Sequence, residues 1–579
     1  MKQTMKSILK KQILLILAIF ILVGLNVYFL TFPSKILGII IDLLGNIEAN
    51  KELITKNIFY LIIFTIISLV LRVIWKYMIA CSTRLLEKNL KDKLFEHFLQ
   101  IKLTSIQNIK NGELMSYFVK DIGEIRGLLY RILSQCTRIF FVLLITTYTM
   151  RSVHLGLTIA ALCPIVITAF IVIILKKYVE NSFRKSQKYF TNLSEYVQES
   201  TDSIRTTKAY SGETNQLKKF IKRNKILKKS NIAVDLYSTL LSTSVSICFG
   251  FCYGITILYG SKLVLDKNIT IGDFVAFNGY IDMFFSPVIW LPGVISKIKR
   301  AQISYIRLDS VFKLEKENLL LSPYSEKEKV HGDIYINNLT FNYPGNLDTV
   351  LENITLDIKE GQTLGIIGTI GSGKTTLMNL LLRLYPVQDG KIFINGEDIN
   401  EINLVNLRKS ICYITQDNFL FSTTIKENVR LFQEEFNDFE IEESAKNAML
   451  SNDLSNMKNG INTVIGERGI DLSGGQKQRV VISRAFLNKS NIVIFDDTFS
   501  ALDNKTEEYL LENIKKLVKD KTCIIISNRI SDVKFADNII VLDSGKIIEQ
   551  GTHKELLENK GLYNKFYNQQ SSKEDNILS

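Results

Sequence analysis

The 579-residue chain is too long for a single domain of about 100–200 residues, and its formal net charge is +13. Much of that positive charge lies beside long apolar runs, which favours a membrane surface over nucleic acid as its partner. The seven cysteines form no CxxC pair and no Cys/His cluster, so the pattern argues against disulfides and structural zinc.

Six apolar segments in the first half of the chain predict membrane-spanning helices, each of which needs about 20 mainly apolar residues. The first begins after a lysine-rich amino terminus and is too long for a signal peptide, so we expect it to be retained. Buried helices of a soluble domain are the alternative, but six such runs would leave no polar face toward water. The segments are 12–34, 57–71, 132–150, 152–175, 236–261 and 274–296.

The lysines and arginines predict the orientation of these spans. Bases crowd the amino terminus and residues 176–235, and Lys297 follows the last span. We therefore expect the amino terminus, both long connections and everything after residue 296 to be cytoplasmic. The connections, about 84–131 and 176–235, are amphipathic and should continue as helices beyond the bilayer.

The composition changes after the last span and predicts the domain boundaries. Residues 1–300 form the predicted membrane domain, and residues 301–330 form a charged linker. From residue 331 to 570, short β-branched runs alternate with helical segments, which is typical of an α/β domain. Residues 571–579 form a polar tail.

A glycine-rich motif between a predicted strand and a predicted helix gives the strongest chemical signal. Its glycines allow consecutive backbone N–H groups to surround an anion, and the helix start favours negative charge. We expect the lysine to reach the outer phosphates of a nucleotide and the first threonine to bind Mg²⁺. The residues concerned are Gly368, Thr369, Gly371, Ser372, Gly373, Lys374, Thr375 and Thr376.

A second apolar run, residues 492–495, ends in Asp496. A carboxylate at the end of such a strand can hold Mg²⁺ beside the threonine of the phosphate loop. By itself the pattern is common, but about 120 residues after a phosphate loop it indicates the same nucleotide site.

A third motif, Leu472-Ser-Gly-Gly-Gln476, resembles the signature of ATP-binding cassette (ABC) proteins. The resemblance covers the whole chain and is to exporters that join six transmembrane helices to one α/β P-loop ATPase cassette. It implies that two cassettes enclose two ATP molecules, each between one phosphate loop and the partner's signature. The signature residues that would complete the partner's site are Ser473, Gly474, Gly475 and Gln476.

The resemblance also implies roles for single residues. Tyr343 would stack on adenine, and Gln416 would contact Mg²⁺. Asp503 would face the partner cassette, and Glu467 would lie in a loop that contacts the membrane helices. Short coupling helices would lie near residues 111–120 and 209–216.

Two positions depart from the family pattern. Asp497 stands where the family has a glutamate general base, and Asn528 stands where it has a histidine beside the γ-phosphate. An aspartate is one methylene shorter, and an amide cannot carry the positive charge that a histidine can. Both changes affect hydrolysis, whereas the binding elements are retained.

The departures favour a heterodimer in which this subunit binds ATP at a poorly hydrolytic site and supplies its signature to an active partner site. The alternatives are a homodimer with full turnover, since aspartate can serve as a base, or a regulatory subunit with little transport. In the cell membrane, we expect such an exporter to move hydrophobic or amphipathic compounds such as drugs, lipids or peptides. No residue identifies the cargo.

Overall fold

A computed structural model describes residues 1–106, 109, 111–317, 330–346, 348–431, 433–466, 469 and 472–578. The chain divides into two compact units. The first contains Met1–Leu99 and Ile109–Leu314, and the second contains Gln100–Asn108 and Glu315–Ser579.

The first unit is entirely helical in its described residues, and several of its helices are much longer than a bilayer is thick. Two π-helical turns, Tyr117–Asp121 and Ile132–Cys136, join α5, α6 and α7 into one run. The helices are α1 (Lys2–Lys11), α2 (Ile13–Leu43), α3 (Ile47–Leu99), α5 (Asn111–Ser116), α6 (Ile122–Arg131), α7 (Thr137–Val153), α8 (Leu155–Asp202), α9 (Ile204–Ala209), α10 (Glu213–Leu265) and α11 (Ile271–Phe312); α4 (Leu103–Ile106) belongs to the second unit.

Five helical runs among the described residues are long and apolar enough to cross a membrane. They are Ile13–Leu43, Asn50–Leu99, Gly112–Val153, Leu155–Asp202 and Glu213–Leu265. The sixth predicted span, 274–296, lies within α11, which is not one of these five. The count of six spans therefore stays a prediction.

Apolar side chains and a few buried polar contacts hold the helices of the first unit together. Ile19 and Val23 of α2 pack with Trp75 and Ile79 of α3 in one buried cluster. Within the same pair of helices, the Asn26 side chain donates to a backbone carbonyl of α3 at 2.6 Å. Such a bond satisfies an amide that would otherwise be costly in an apolar interior.

One close helix approach depends on glycine. A Cβ atom at Gly272 of α11 would lie 2.1 Å from the carbonyl oxygen of Gly38 in α2. The Gly272 N–H also donates to the Asp42 carboxylate at 2.7 Å. The absence of a side chain therefore allows the two backbones to meet.

The second unit is an α/β domain with two sheets. A four-stranded antiparallel sheet has the order β2-β1-β4-β5, and a six-stranded sheet has the order β10-β9-β3-β8-β7-β6. The strands are β1 (Ile334–Asn342), β2 (Thr349–Ile358), β3 (Thr363–Gly368), β4 (Ile392–Ile394), β5 (Glu397–Asp398), β6 (Ile411–Ile414), β7 (Ile492–Asp496), β8 (Thr522–Ile526), β9 (Asn538–Asp543) and β10 (Lys546–Gly551).

The central strands are apolar on both faces because helices cover the sheet. All residues of β3, β7 and β8 are buried, which explains their uninterrupted apolar sequences. The helices of the unit, besides α4, are α12 (Lys374–Leu381), α13 (Leu404–Ser410), α14 (Ile425–Arg430), α15 (Asp438–Asn447), α16 (Ser451–Ser455), α17 (Gly474–Leu487), α18 (Asn504–Leu517), α19 (Ile530–Val533), α20 (His553–Glu558) and α21 (Leu562–Leu578).

The order of the parallel strands β3-β8-β7-β6 positions the site. Because carboxyl ends of parallel strands meet at one edge of a sheet, four loops gather there. The strands end at Gly368, Ile526, Asp496 and Ile414. The segments that follow carry the predicted phosphate loop, Asn528, Asp497 and Gln416.

A segment from the first half of the chain is part of the second unit. Ile101 pairs with Lys316 in an isolated antiparallel bridge, and Lys102 forms an ion pair of 2.7 Å with Glu315. Leu103 packs against the core beneath the four-stranded sheet. Gln100–Asn108, whose residues 107 and 108 are not described, is therefore part of the second unit.

Three boundaries predicted from the sequence can be compared with the observed elements. Residues 111–120, predicted to hold the first coupling helix, lie in the first unit, whereas the preceding segment belongs to the second. The helix α11 continues to Phe312 and so covers part of the predicted linker, of which residues 318–329 are not described. The helix α21 extends through residue 578, within the predicted polar tail.

Candidate nucleotide site

The phosphate loop turns from β3 into α12 through glycines in left-handed conformations. Gly371 has φ +83° and Gly373 has φ +99°. A Cβ atom at Gly373 would lie 2.6 Å from the Leu351 side chain, so glycine is required there by both conformation and space. The loop therefore has the backbone that an anion cradle needs.

The Lys374 ammonium lies inside this loop. Its Nζ donates to the carbonyl oxygens of Gly368 and Thr369, both at 2.9 Å. Burial lowers the pKa of this ammonium, and the charges of Asp497 and Asp496 oppose the shift. A buried cation beside a ring of backbone N–H groups can pair with phosphate oxygens.

The residues at the loop fit a nucleotide and Mg²⁺. Ser372 is buried, and its Oγ has no hydrogen-bond partner among the described residues, which is costly unless a ligand supplies one. Burial raises the pKa of Asp496, and a hydrogen bond with the Thr375 side chain opposes that rise. A hydroxyl and a carboxylate in contact are oxygen ligands of the kind Mg²⁺ prefers.

A tyrosine that the sequence did not single out fixes the Asp496 carboxylate. The Tyr413 hydroxyl donates to Asp496 Oδ2 at 2.9 Å from the neighbouring strand β6. Burial, together with the Asp496 charge, raises the pKa of Tyr413. The phenol therefore stays protonated and holds one carboxylate oxygen in place.

Asp497 has a left-handed backbone, with φ +46°, a conformation that aspartate tolerates better than most residues. Its N–H donates to the Ile526 carbonyl at 2.8 Å, which fixes the backbone beside β8. The Gln416 amide Nε2 donates to Asp497 Oδ2 at 3.4 Å. The structure thus brings together Gln416, predicted to contact Mg²⁺, and Asp497, which stands at the general-base position.

Tyr343 lies against the phosphate-loop helix. Its hydroxyl shares a 2.8 Å hydrogen bond with Thr376 Oγ1, and its ring meets the Tyr385 ring edge-on with centroids 5.0 Å apart. The side chain is half-buried. Tyr343 is therefore beside the predicted phosphate site, as its proposed contact with the base requires.

The signature residues form the start of α17. The Ser473 hydroxyl accepts from the Gln476 N–H at 3.3 Å, and the Gln476 side chain accepts from the Ser473 N–H at 2.9 Å. This reciprocal cap leaves Ser473 and Gly474 exposed at a helix amino terminus, where negative charge is favoured. Gly475 is half-buried, and Glu467 lies outside the described residues.

A buried glutamine connects the signature helix to the loop after β7. Gln478 accepts from the Ala501 N–H at 3.1 Å and donates to Ser500 Oγ at 3.4 Å. Two residues further on, Asp503 caps α18 by accepting from the Thr506 N–H at 3.1 Å. The loop that was predicted to face a partner cassette is thus anchored at both ends.

Asn528 is exposed, and the residues around it form a network that sequence reasoning missed. The Arg529 guanidinium pairs with the buried Glu507 at 2.6 Å and donates to the Ser500 carbonyl at 3.2 Å. These contacts join the Asn528 loop to the loop after β7. A local charge pattern could not reveal these contacts, because 22 residues separate Arg529 from Glu507 in the sequence.

The same network contains a buried carboxyl group. Asp532 accepts from Ser527 Oγ at 2.5 Å and from Ser531 Oγ at 3.2 Å. Burial raises the pKa of Asp532 to about 7, and the neighbouring Glu507 adds to the shift. Between about pH 4 and about pH 7, the group therefore holds a proton in the folded chain that it would lose on unfolding.

This shift predicts a pH-dependent stability. The folded pKa is raised, so the free energy of unfolding falls as pH rises from about 4 to about 7, by at most about 4 kcal/mol. Asp532→Asn should flatten that slope in thermal unfolding of the purified chain at pH 5, 6, 7 and 8. Asp520→Asn, which changes an exposed carboxylate, should keep the wild-type slope. Equal slopes in wild type and Asp532→Asn would contradict the prediction.

Comparison with known proteins agrees with this architecture. The family described as "ABC transporter transmembrane region" matches residues 13–288, and the family described as "ABC transporter" matches residues 351–500. With its apolar helices, the chain is a multi-pass membrane protein.

Curated relatives match nearly the whole chain. The probable multidrug resistance ABC transporter ATP-binding/permease protein YheI of Bacillus subtilis is 33% identical, over 96% of this chain and 94% of its own length. The multidrug resistance-like ATP-binding protein MdlA of Buchnera aphidicola is 31% identical, over 95% of each. The leukotoxin translocation ATP-binding protein LktB of Mannheimia glucosida is 32% identical, over 89% of this chain and 72% of its own.

A solved structure shows the same fold. The structure of a bacterial Atm1-family ABC exporter with ATP bound has a TM-score of 0.79 at 22% sequence identity, covering 97% of this chain and 99% of that one. The chain therefore belongs to the ABC transporters, as an exporter with its transmembrane and ATP-binding regions in one polypeptide and with multidrug-type homologues.

Proposed function

We propose that this chain is one half of a heterodimeric exporter, with six membrane-spanning helices and a cytoplasmic cassette. The chain would bind ATP at a poorly hydrolytic site and supply its signature to the partner's active site. One observation carries the proposal. The phosphate loop, Asp496 and Tyr343 retain binding groups, whereas the two positions that act in hydrolysis hold Asp497 and Asn528.

The binding part of the proposal uses Lys374, Thr375 and Asp496. The Lys374 ammonium would exchange its two carbonyl contacts for phosphate oxygens, and the free Ser372 hydroxyl would gain a partner. Thr375, Asp496 and Gln416 would hold Mg²⁺, which neutralises charge on the phosphates when bound. Tyr343 would turn its ring to the adenine.

The hydrolytic weakness follows from distance and charge. Asp497 lies 3.4 Å from the Gln416 amide, and its carboxylate reaches one methylene less far than a glutamate would. A displacement near 1 Å from the attacking water can cost roughly 10²-fold in rate. Asn528 is exposed at the same edge and cannot contribute a positive charge.

The exposed start of α17 supports the supply of a signature to a partner. Ser473, Gly474 and the first N–H groups of this 14-residue helix point a favourable dipole at an incoming anion. A partner's ATP would lie there. We expect that partner to carry the glutamate and the histidine that this chain lacks.

The cargo we propose is hydrophobic or amphipathic. Two relatives carry multidrug resistance in their names, and a third is named for leukotoxin translocation. The apolar helices would provide the path for such compounds.

The alternative is a homodimer with full turnover. It is favoured by the retained carboxylate of Asp497, which the backbone holds beside Gln416. A regulatory subunit with little transport is the other alternative, and ATP-dependent transport in vesicles with a partner would exclude it.

The test compares the chain alone with the chain beside candidate half-transporters. Purified alone in lipid nanodiscs, it should retain ATP but release very little phosphate. Co-expressed with a half-transporter that has a glutamate and a histidine at these positions, it should co-purify and turn over ATP. Rapid turnover by the chain alone, abolished by Asp497→Asn, would favour the homodimer.

A further inference from the structure

A cavity of about 430 Å³ lies among α3, α6, α11 and the π-helical turn after α6. Its lining includes four cationic side chains, Arg84, Arg126, Arg131 and Lys297, and the polar Gln135. All of these residues belong to the first unit. We call it the basic cavity.

The carboxylates near the basic cavity do not balance its charge. Glu87 pairs with Arg84 at 3.0 Å and with Arg126 at 3.1 Å, so one acid serves two guanidinium groups. Glu124 pairs with Lys297 at 2.6 Å. Among the described residues, three of the four lining cations therefore share two acids, and Glu87 also pairs with Lys91 at 3.0 Å, which leaves a surplus of positive charge.

Arg131 contributes most directly to this surplus. Its guanidinium donates to the neutral Gln135 side chain at 3.2 Å, and no carboxylate pairs with it in the described part of the chain. A partly buried arginine without an acid has free donors for an anion. Guanidinium groups form bidentate hydrogen bonds with the oxygens of phosphates and carboxylates.

Lys297 reaches the cavity because α6 has a glycine opposite it. A Cβ atom at Gly127 would lie 2.6 Å from Lys297 Cε. The Lys297 side chain is only 22% exposed, unlike Lys299, which is 59% exposed and faces Glu180. The cation is therefore held inside the cavity and is more than a solvated charge at the end of a span.

The cations lie at the predicted inner edge of the bilayer. Arg84 begins and Arg131 ends the first predicted cytoplasmic connection, and Lys297 follows the last apolar segment. Basic cavities between membrane helices at this level bind anionic head groups. Two of the cavity's helices, α3 and α6, belong to the membrane-length apolar runs Asn50–Leu99 and Gly112–Val153.

We propose that the basic cavity binds the phosphate or carboxylate head group of an amphipathic ligand. This inference rests on the proposed function, whose cargo class it narrows to amphiphiles with an anionic head. The ligand is either transported cargo or a resident lipid of the inner leaflet, and both share this chemistry.

The test measures binding to the full chain in phosphatidylcholine nanodiscs. The probes are a fluorescent lysophosphatidate and a lysophosphatidylcholine with the same tail. The anionic lysophosphatidate should bind about tenfold more tightly than the zwitterionic lysophosphatidylcholine. The double variant Arg131→Gln with Lys297→Gln should remove that preference, as expected when charge-assisted hydrogen bonds are lost. Lys299→Gln, which removes one positive charge outside the cavity, should keep it.

Two further variants separate position from charge. Gly127→Ala should weaken binding of lysophosphatidate, because the added methyl group displaces Lys297 without changing any charge. Arg131→Lys should retain part of the preference. Equal affinity for both probes in the wild type, or an unchanged preference in the double variant, would overturn the site.

Two readouts on the same samples keep the inferences apart. ATP retention, which depends on the cassette, is measured in parallel. If the chain retains ATP normally but shows no preference between the two head groups, only the proposal for the basic cavity is overturned. If the chain prefers lysophosphatidate but does not retain ATP, the proposed function is overturned and the head-group site is supported. ATP-dependent movement of the bound probe across vesicles would identify cargo, and binding without movement would identify a resident lipid.

Discussion

Replacing Lys374 by alanine should lower the affinity of the chain for ATP by about 10- to 100-fold, the cost of removing hydrogen bonds from a charged donor. The Lys374 ammonium is half-buried and its present partners are two backbone carbonyls, so no other cation substitutes for it in the loop. Equilibrium binding of a fluorescent ATP analogue to the purified chain gives the measurement.

The matched control is Lys391→Ala in the same domain. The Lys391 ammonium donates to the Asn338 carbonyl at 3.0 Å, away from the phosphate loop. This variant should bind ATP as the wild type does. If Lys374→Ala and Lys391→Ala bind ATP equally well, the assignment of the phosphate loop is wrong.

Replacing Asp497 by glutamate should raise the ATP turnover of the chain's own site by about 10²-fold, since the carboxylate would regain the reach of the usual base. The gain should be larger when Asn528→His is added, because the histidine can carry positive charge beside the phosphate. Phosphate release by the co-purified heterodimer, with the partner's base removed, isolates this site.

Asp497→Asn is the control for the gain. It keeps the size of the side chain and removes its charge, so turnover should remain at the low wild-type level while ATP retention is unchanged. The left-handed backbone at Asp497 suits aspartate better than glutamate, so the thermal midpoint of each variant should be recorded as well. A fall in turnover on Asp497→Glu would contradict a degenerate site.

Local motifs made much of the candidate nucleotide site predictable. The glycines of the phosphate loop and the acid at the end of β7 each follow an apolar strand, and that signal is contained in about ten residues. The family of the chain followed from the Leu472–Gln476 signature, and the matches to ABC transporters confirm it.

Contacts between strands distant in sequence could not be predicted. The order β3-β8-β7-β6 places the Asn528 segment between the phosphate loop and Asp496, although it comes last in the chain. Tyr413 reaches Asp496 from an adjacent strand, and Arg529 reaches Glu507 across a loop. The hydrophobic periodicity of a sequence does not predict which strands become neighbours in a sheet.

The end of α3 could not be predicted for a related reason. The amphipathic pattern predicts helix through the first long connection, but α3 ends at Leu99, and residues 111–116 are helical again. Between these helices, Ile101 pairs with Lys316, more than 200 residues away in the sequence. A local pattern gives no information about so distant a partner.

The incorporation of Gln100–Asn108 into the ATPase domain bears on how such proteins can be recombined. In a chimera joined once near residue 315, the foreign cassette would pack against Ile101, Lys102 and Leu103 of this chain in place of its own matching segment. A successful exchange would need three junctions, two that flank this nine-residue insert and one before the cassette. An exchange of the cassette therefore has to include a segment from the first half of the chain, even though each unit has its own core.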